Sequence, residues 1–175
     1  MNTMNMLIVA GVLIASILWL ALRSRRITED WLPPELANAR LALIEKDLYC
    51  ERPFRLAGRP DRVYEHQSGI MTPLEFKNRE RFVTYQTDVA ELSLQAWLLR
   101  RKGKRTSAHG YVTVRQRSTG IHRCLRVSLM SDEACEALIR RYQDVCSGRV
   151  EPQPCPPRRC GSCRHDCYSA LIACA

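Results

Sequence analysis

GRPDRVYEHQSGIMTPLEFK, residues 58–77, holds two short extended segments around a turn. Residues 61–65 (DRVYE) and 71–77 (MTPLEFK) have strand-like composition, and His66-Gln67-Ser68-Gly69-Ile70 supplies the polar residues and glycine of a tight reversal. A β-hairpin is predicted. If it is symmetric about Ser68, Asp61 stands opposite Glu75 and Val63 opposite Pro73. Opposed residues have Cβ atoms about 5 Å apart, so two carboxylates would repel unless a cation lies between them. Hard Mg²⁺ or Mn²⁺ suits such oxygen ligands. Lys77, two residues past Glu75, leaves the strand on the same face. Two acids and an ammonium on one surface can hold a metal, a water and a phosphate together. The bland alternative is an ordinary Glu-x-Lys charge pair on an exposed hairpin face. Pro73 lacks a ladder donor and suggests an edge or a bulge.

Outward from the hairpin, residues 35–46 (ELANARLALIEK) read as a helix entered through Pro33-Pro34, and residues 48–56 as a strand ended at Gly58-Arg59-Pro60. Downstream, Thr87 or Asp88 caps a helix running to about Arg101, with Val89, Leu92, Ala96 and Leu99 as its buried stripe. A second hairpin joins residues 111–117 to 121–129, and Ser131 opens a last helix to about Cys146. The fold class is mixed α/β.

Composition limits the rest. The chain has 175 residues, with 27 Lys+Arg against 18 Asp+Glu and a net charge of +9. Collagen, coiled coil, multi-span transporter and disordered basic tail are excluded by the counts and by the alternating apolar runs. Every charge lies beyond residue 22, because residues 6–22 (MLIVAGVLIASILWLAL) are wholly uncharged. As a helix, that run rises about 26 Å, close to a hydrocarbon core of about 30 Å. Arg23, Arg25 and Arg26 follow it and nothing positive precedes it, the reverse of a signal peptide. The positive-inside rule puts the N-terminus outside and the domain on the cytoplasmic face. The expected organisation is a tail (1–5), a transmembrane anchor (6–22), a linker (23–34), a core (35–149) and a cysteine-rich tail (150–175).

Five of nine cysteines fall in that last stretch. Cys155, Cys160, Cys163 and Cys167 have ligand-like spacing for tetrahedral zinc or an iron–sulfur cluster. Cys174, Cys124, Cys135 and Cys146 need no special role. The cationic excess suits a polyanion such as DNA, with Arg100, Arg101, Lys102, Lys104 and Arg105 as the densest backbone contacts, salt-dependent and blind to sequence. Arg115, Arg117 and the Arg158-Arg159 pair are further candidates, whereas the arginines beside the anchor suit anionic lipid.

Pro60-Asp61, thirteen residues, then Glu75-Phe76-Lys77 resembles the PD-(D/E)XK nucleases, especially the RecB-like branch that includes CRISPR-associated exonucleases. The resemblance covers roughly residues 35–167. It implies a restriction-endonuclease-like sheet flanked by helices, and a Mg²⁺- or Mn²⁺-dependent deoxyribonuclease, an exonuclease by analogy. It also implies Asp61 and Glu75 as metal ligands, the Phe76 carbonyl as a further ligand, and Lys77 as the catalytic lysine. Relatives add an upstream acid or histidine. No histidine precedes His66, so Glu45 is the preferred candidate over Glu35. The family's Gln-x-x-x-Tyr helix motif falls on Glu91 and Gln95, of different residue types; Glu91, three after Asp88, also fits a capping box. The C-terminal trio of a [4Fe–4S] cluster would be Cys160, Cys163 and Cys167, with Cys155 or Cys50 as the fourth ligand. Two alternatives remain: a catalytically impaired member acting as a DNA-binding or assembly factor at the membrane, and a zinc-tail adaptor for protein partners.

Overall fold

Val63 is opposed to Pro73, Arg62 to Leu74, Tyr64 to Thr72 and Glu65 to Met71. This is the register symmetric about Ser68. His66 and Ile70 close the turn through a 2.9 Å backbone hydrogen bond, and Gly69 takes φ of 76°, a conformation that costs glycine nothing. The computed structural model describes residues 31–152.

In chain order the elements are α1 (Pro34–Ala37), β1 (Arg40–Ile44), β2 (Leu48–Cys50), β3 (Leu56–Gly58), β4 (Arg62–Glu65), β5 (Ile70–Arg79), α2 (Gln86–Arg101), β6 (Arg105–Thr106), β7 (His109–Gln116), β8 (His122–Ser128) and α3 (Asp132–Cys146). A six-stranded mixed sheet has the order β1-β4-β5-β7-β8, with β6 also on β5; β2 and β3 form a separate pair. The β5–β7 and β5–β6 pairs are parallel and the other pairs antiparallel. Parallel neighbours need a crossover, and α2 supplies it. The chain divides into two compact units, the second beginning at Ser131. In that unit the Ser131 hydroxyl caps α3 by accepting from the Ala134 N–H at 3.2 Å.

Pro73 lies in the strand interior without leaving an orphan. β6 pairs with Ile70 and Met71, and β7 begins at Leu74, so the missing donor falls in the gap. Gly110 permits the chain to pass there, since a Cβ would lie 3.1 Å from the Pro73 carbonyl.

Two expected elements are corrected. Residues 35–46 are not one helix: α1 ends at Ala37 and residues 40–44 are the edge strand β1. Helix propensities differ by only tenths of a kcal/mol per residue, and pairing with β4 outweighs them. A bulge between Leu41 and Leu43 masks the alternation that would have announced a strand. Residues 48–56 are not one strand either. Pro53 has no N–H to donate, and the chain reverses between β2 and β3.

The sheet is covered on both faces. Leu36 of α1 joins Tyr64, Leu74 and Tyr111, with Trp31 and Phe76 packed against them. On the opposite face Leu92 of α2 packs with Val112, Val114 and Val127. Leu92, Ala96 and Leu99 are all at most 1% exposed, as their spacing predicted. Gly58 lets β3 approach α2 closely: a Cβ would sit 3.0 Å from Leu98 Cδ1.

Candidate functional site

Alternation along β5 sends Glu75, Lys77 and Arg79 toward α2, where Gln95, Glu91 and Asp88 recur on one helix face. Four pairings result. Gln95 Nε2 donates to Glu75 Oε2 at 3.0 Å. Lys77 Nζ donates to Glu75 Oε1 at 3.0 Å and to Glu91 Oε2 at 2.7 Å. Arg79 donates from Nη1 and Nη2 to the two Asp88 oxygens at 2.7 and 2.6 Å. Asp61, just before β4, accepts the Phe76 N–H on Oδ2 at 2.7 Å. Acid, acid and ammonium therefore meet at one end of the hairpin. Glu75 is only 6% exposed, so it is no ordinary charge pair on an exposed face.

Burial pushes the Glu75 carboxyl up. Hydrogen bonds from Gln95 and Lys77 pull the other way, but the charges of Asp61 and Glu91 add to the rise, and the net shift is upward. For Lys77, burial acts downward and is outweighed by its bonds to Glu91 and Glu75, so the ammonium is held. Lys77 is thus a fixed cation rather than a base. Asp88 is pushed up by burial but held lower overall by Arg79 and the Tyr85 N–H.

The donor set suits one hard cation. Among the described residues no group of three or more His, Cys, Asp or Glu is close enough to enclose a metal. Mg²⁺ typically uses one or two carboxylates and keeps its waters, and Asp61 with Glu75 meets that requirement. Gln95 Oε1, beside them, is buried with no hydrogen-bond partner among the described residues.

The other sequence-predicted residues divide. Glu91 contacts Lys77 rather than capping α2, whose first turn is closed by Asp88 accepting the Tyr85 N–H at 2.8 Å. Glu45 takes φ of 43°, and its N–H donates to the Asp61 carbonyl at 3.1 Å; its side chain is exposed. Glu35 lines a separate cavity with His66 and His109. Of the cationic cluster, Arg100 bonds the Thr106 hydroxyl at 2.6 Å and Arg101 lies 4.8 Å over the Trp97 ring, while Lys102, Lys104 and Arg105 are exposed. Cys50 donates to the Arg52 carbonyl at 2.9 Å, and burial pushes the Cys124 thiol up to about 11. Residues 6–22 and Cys155, Cys160, Cys163 and Cys167 lie outside the described residues. Among the described residues no helix is long and apolar enough to cross a membrane.

Arg79 and Asp88 were missed as partners of the site. Their signal was present: continuing the Glu75-x-Lys77 alternation one step reaches Arg79.

No family model matches the chain, and no curated protein matches it. A solved structure described as "Crystal structure of SSO0001" is similar, with 16% sequence identity, coverage of 95% of this chain and 72% of that chain, and a TM-score of 0.50. At that identity the likeness speaks for the fold alone.

Proposed function

We propose that the chain is a Mg²⁺- or Mn²⁺-dependent deoxyribonuclease of restriction-endonuclease-like fold, held at the cytoplasmic face of a membrane by residues 6–22. One observation carries this: Asp61 accepts the Phe76 N–H at 2.7 Å, its charge acts on the buried Glu75 carboxyl next in the strand, and Lys77 Nζ lies 3.0 Å from Glu75. Asp61 and Glu75 would hold the metal, which supplies a water of lowered pKa and charge compensation at the phosphate. Glu91 and Glu75 keep Lys77 protonated and aimed, so its ammonium can orient the attacking water or offset charge on phosphoryl oxygen. Gln95 fixes the Glu75 carboxylate from behind. The Phe76 N–H fixes Asp61, leaving its second oxygen for a ligand. The cysteine tail would hold an iron–sulfur cluster or zinc through Cys155, Cys160, Cys163 and Cys167.

The test is incubation of the anaerobically purified chain with labelled single- and double-stranded DNA, in Mn²⁺ or in EDTA. Cleavage should require Mn²⁺ and fall at least about 100-fold in Asp61→Ala and in Lys77→Ala, the scale of losing one preorganised electrostatic group. DNA binding with no cleavage by the unsubstituted chain would instead identify a non-catalytic DNA-binding factor.

A further inference from the structure

We infer that a cavity farther along the same sheet face seats one unpaired nucleotide of a single DNA strand, away from the phosphate handled at Asp61 and Glu75. The inference rests on the nuclease reading and adds to it where the uncut strand lies.

The cavity measures about 510 Å³, within the range of small-ligand sites. Leu43, Leu48, Met71 and Leu99 give it apolar walls, and Lys46, Lys102 and Lys104 stand at its rim. An apolar recess takes the flat face of a base, while ammonium groups at its mouth take phosphates. The two acids that also line it, Asp47 and Glu65, are already committed. Asp47 accepts from Arg59 Nε and Nη2 at 2.7 and 2.9 Å, and Glu65 is paired with Arg40. No ion pair among the described residues engages the three lysines, so their charge is available to an incoming anion.

The cavity and the carboxylates share β5, α2 and the turn that follows β1. Met71 precedes Glu75 by four residues on β5, which keeps it on the same face about 13 Å away. Leu99 lies about one turn beyond Gln95 on α2. Lys46 follows Glu45, whose N–H is bonded to the Asp61 carbonyl. At about 3.4 Å per stacked nucleotide, the separation corresponds to about four nucleotides, and fewer if the strand is stretched. A paired base could not turn into the recess, so the strand must be single there.

The test measures binding of fluorescein-labelled oligothymidylates, two to ten nucleotides long, to the full-length chain in EDTA over a range of salt. Affinity should step upward once the oligomer is about five nucleotides long. The variant Lys46→Ala/Lys102→Ala/Lys104→Ala should bind the ten-mer at least about 10-fold more weakly, with the salt slope reduced by about 2, at about 0.7 per lost phosphate contact. These lysines are exposed, and an unchanged melting temperature checks the fold. Unchanged affinity and slope in the variant would overturn the inference. Equal binding of a mononucleotide would also overturn it, indicating a free-nucleotide site, as would equal binding of duplex. Binding through the lysines without Mn²⁺-dependent cleavage would defeat the nuclease reading and leave the strand seat standing. Cleavage with lysine-independent binding would defeat the seat alone.

Discussion

On one face of β5, Leu74 and Phe76 enter an apolar layer with Leu36, Tyr64 and Tyr111. On the other, Glu75, Lys77 and Arg79 meet Gln95, Glu91 and Asp88 from α2. The two faces belong to one strand and differ only in which alternate residues they receive. The apolar face stabilises by burial, which needs no exact partner. The polar face sits where core would be expected and tolerates its charges because each has a partner, although Glu75 must share Lys77 with Glu91. There two other acids crowd a buried carboxylate, an arrangement that costs stability and that a bound cation would relieve. The charged seam is set into a face whose reverse side anchors it.

The contrast can be broken from the apolar side first. Leu74 is fully buried, and Leu74→Ala should cost about 3 to 5 kcal/mol, by loss of transfer energy and a cavity; urea unfolding measures this. Next comes the matched end of the polar seam. Arg79 and Asp88 side chains are 18% and 3% exposed, and Asp88→Asn should cost about 2 to 3 kcal/mol by leaving the guanidinium uncompensated. Asp88 titrates below its ordinary value of 3.8 in the folded chain. Its contribution is therefore complete above that pH and fades as pH falls through the lower folded value, so wild type and variant should converge in acid. At Glu75 the sign reverses. Its folded pKa lies above its ordinary 4.5, so the ionised form weakens the fold as pH rises past that value. Glu75→Gln should be more stable than wild type at neutral pH, and added Mn²⁺ should close the gap by stabilising wild type only. The smallest effect belongs to the exposed partner: Glu91→Gln should change stability by less than about 1 kcal/mol, while lowering Mn²⁺-dependent cleavage through a looser Lys77.

The hairpin was legible because its turn chemistry and symmetric length fix the register from Arg62–Leu74 to Glu65–Met71, and Asp61 is then held beside β5 by the Phe76 N–H. The α2 stripe was legible for a similar reason, since Leu92, Ala96 and Leu99 repeat at helical spacing. The edge strand β1 was not. Ala, Leu and Arg in residues 39–43 favour a helix locally, and the sequence around them does not show that β4 lies alongside with unpaired backbone groups. Arg79–Asp88 was hidden because the strand was read as ending at Lys77. The lysine seat was hidden because Lys46 comes from a different segment than Lys102 and Lys104, and only the fold brings them to one cavity.

Calorimetric titration of Mn²⁺ into the purified chain tests most directly whether Asp61 and Glu75 hold a divalent cation. Saturable binding is predicted, abolished in both Asp61→Asn and Glu75→Gln and retained in Asp88→Asn. Identical Mn²⁺ isotherms for wild type and the Asp61 and Glu75 variants would contradict the account.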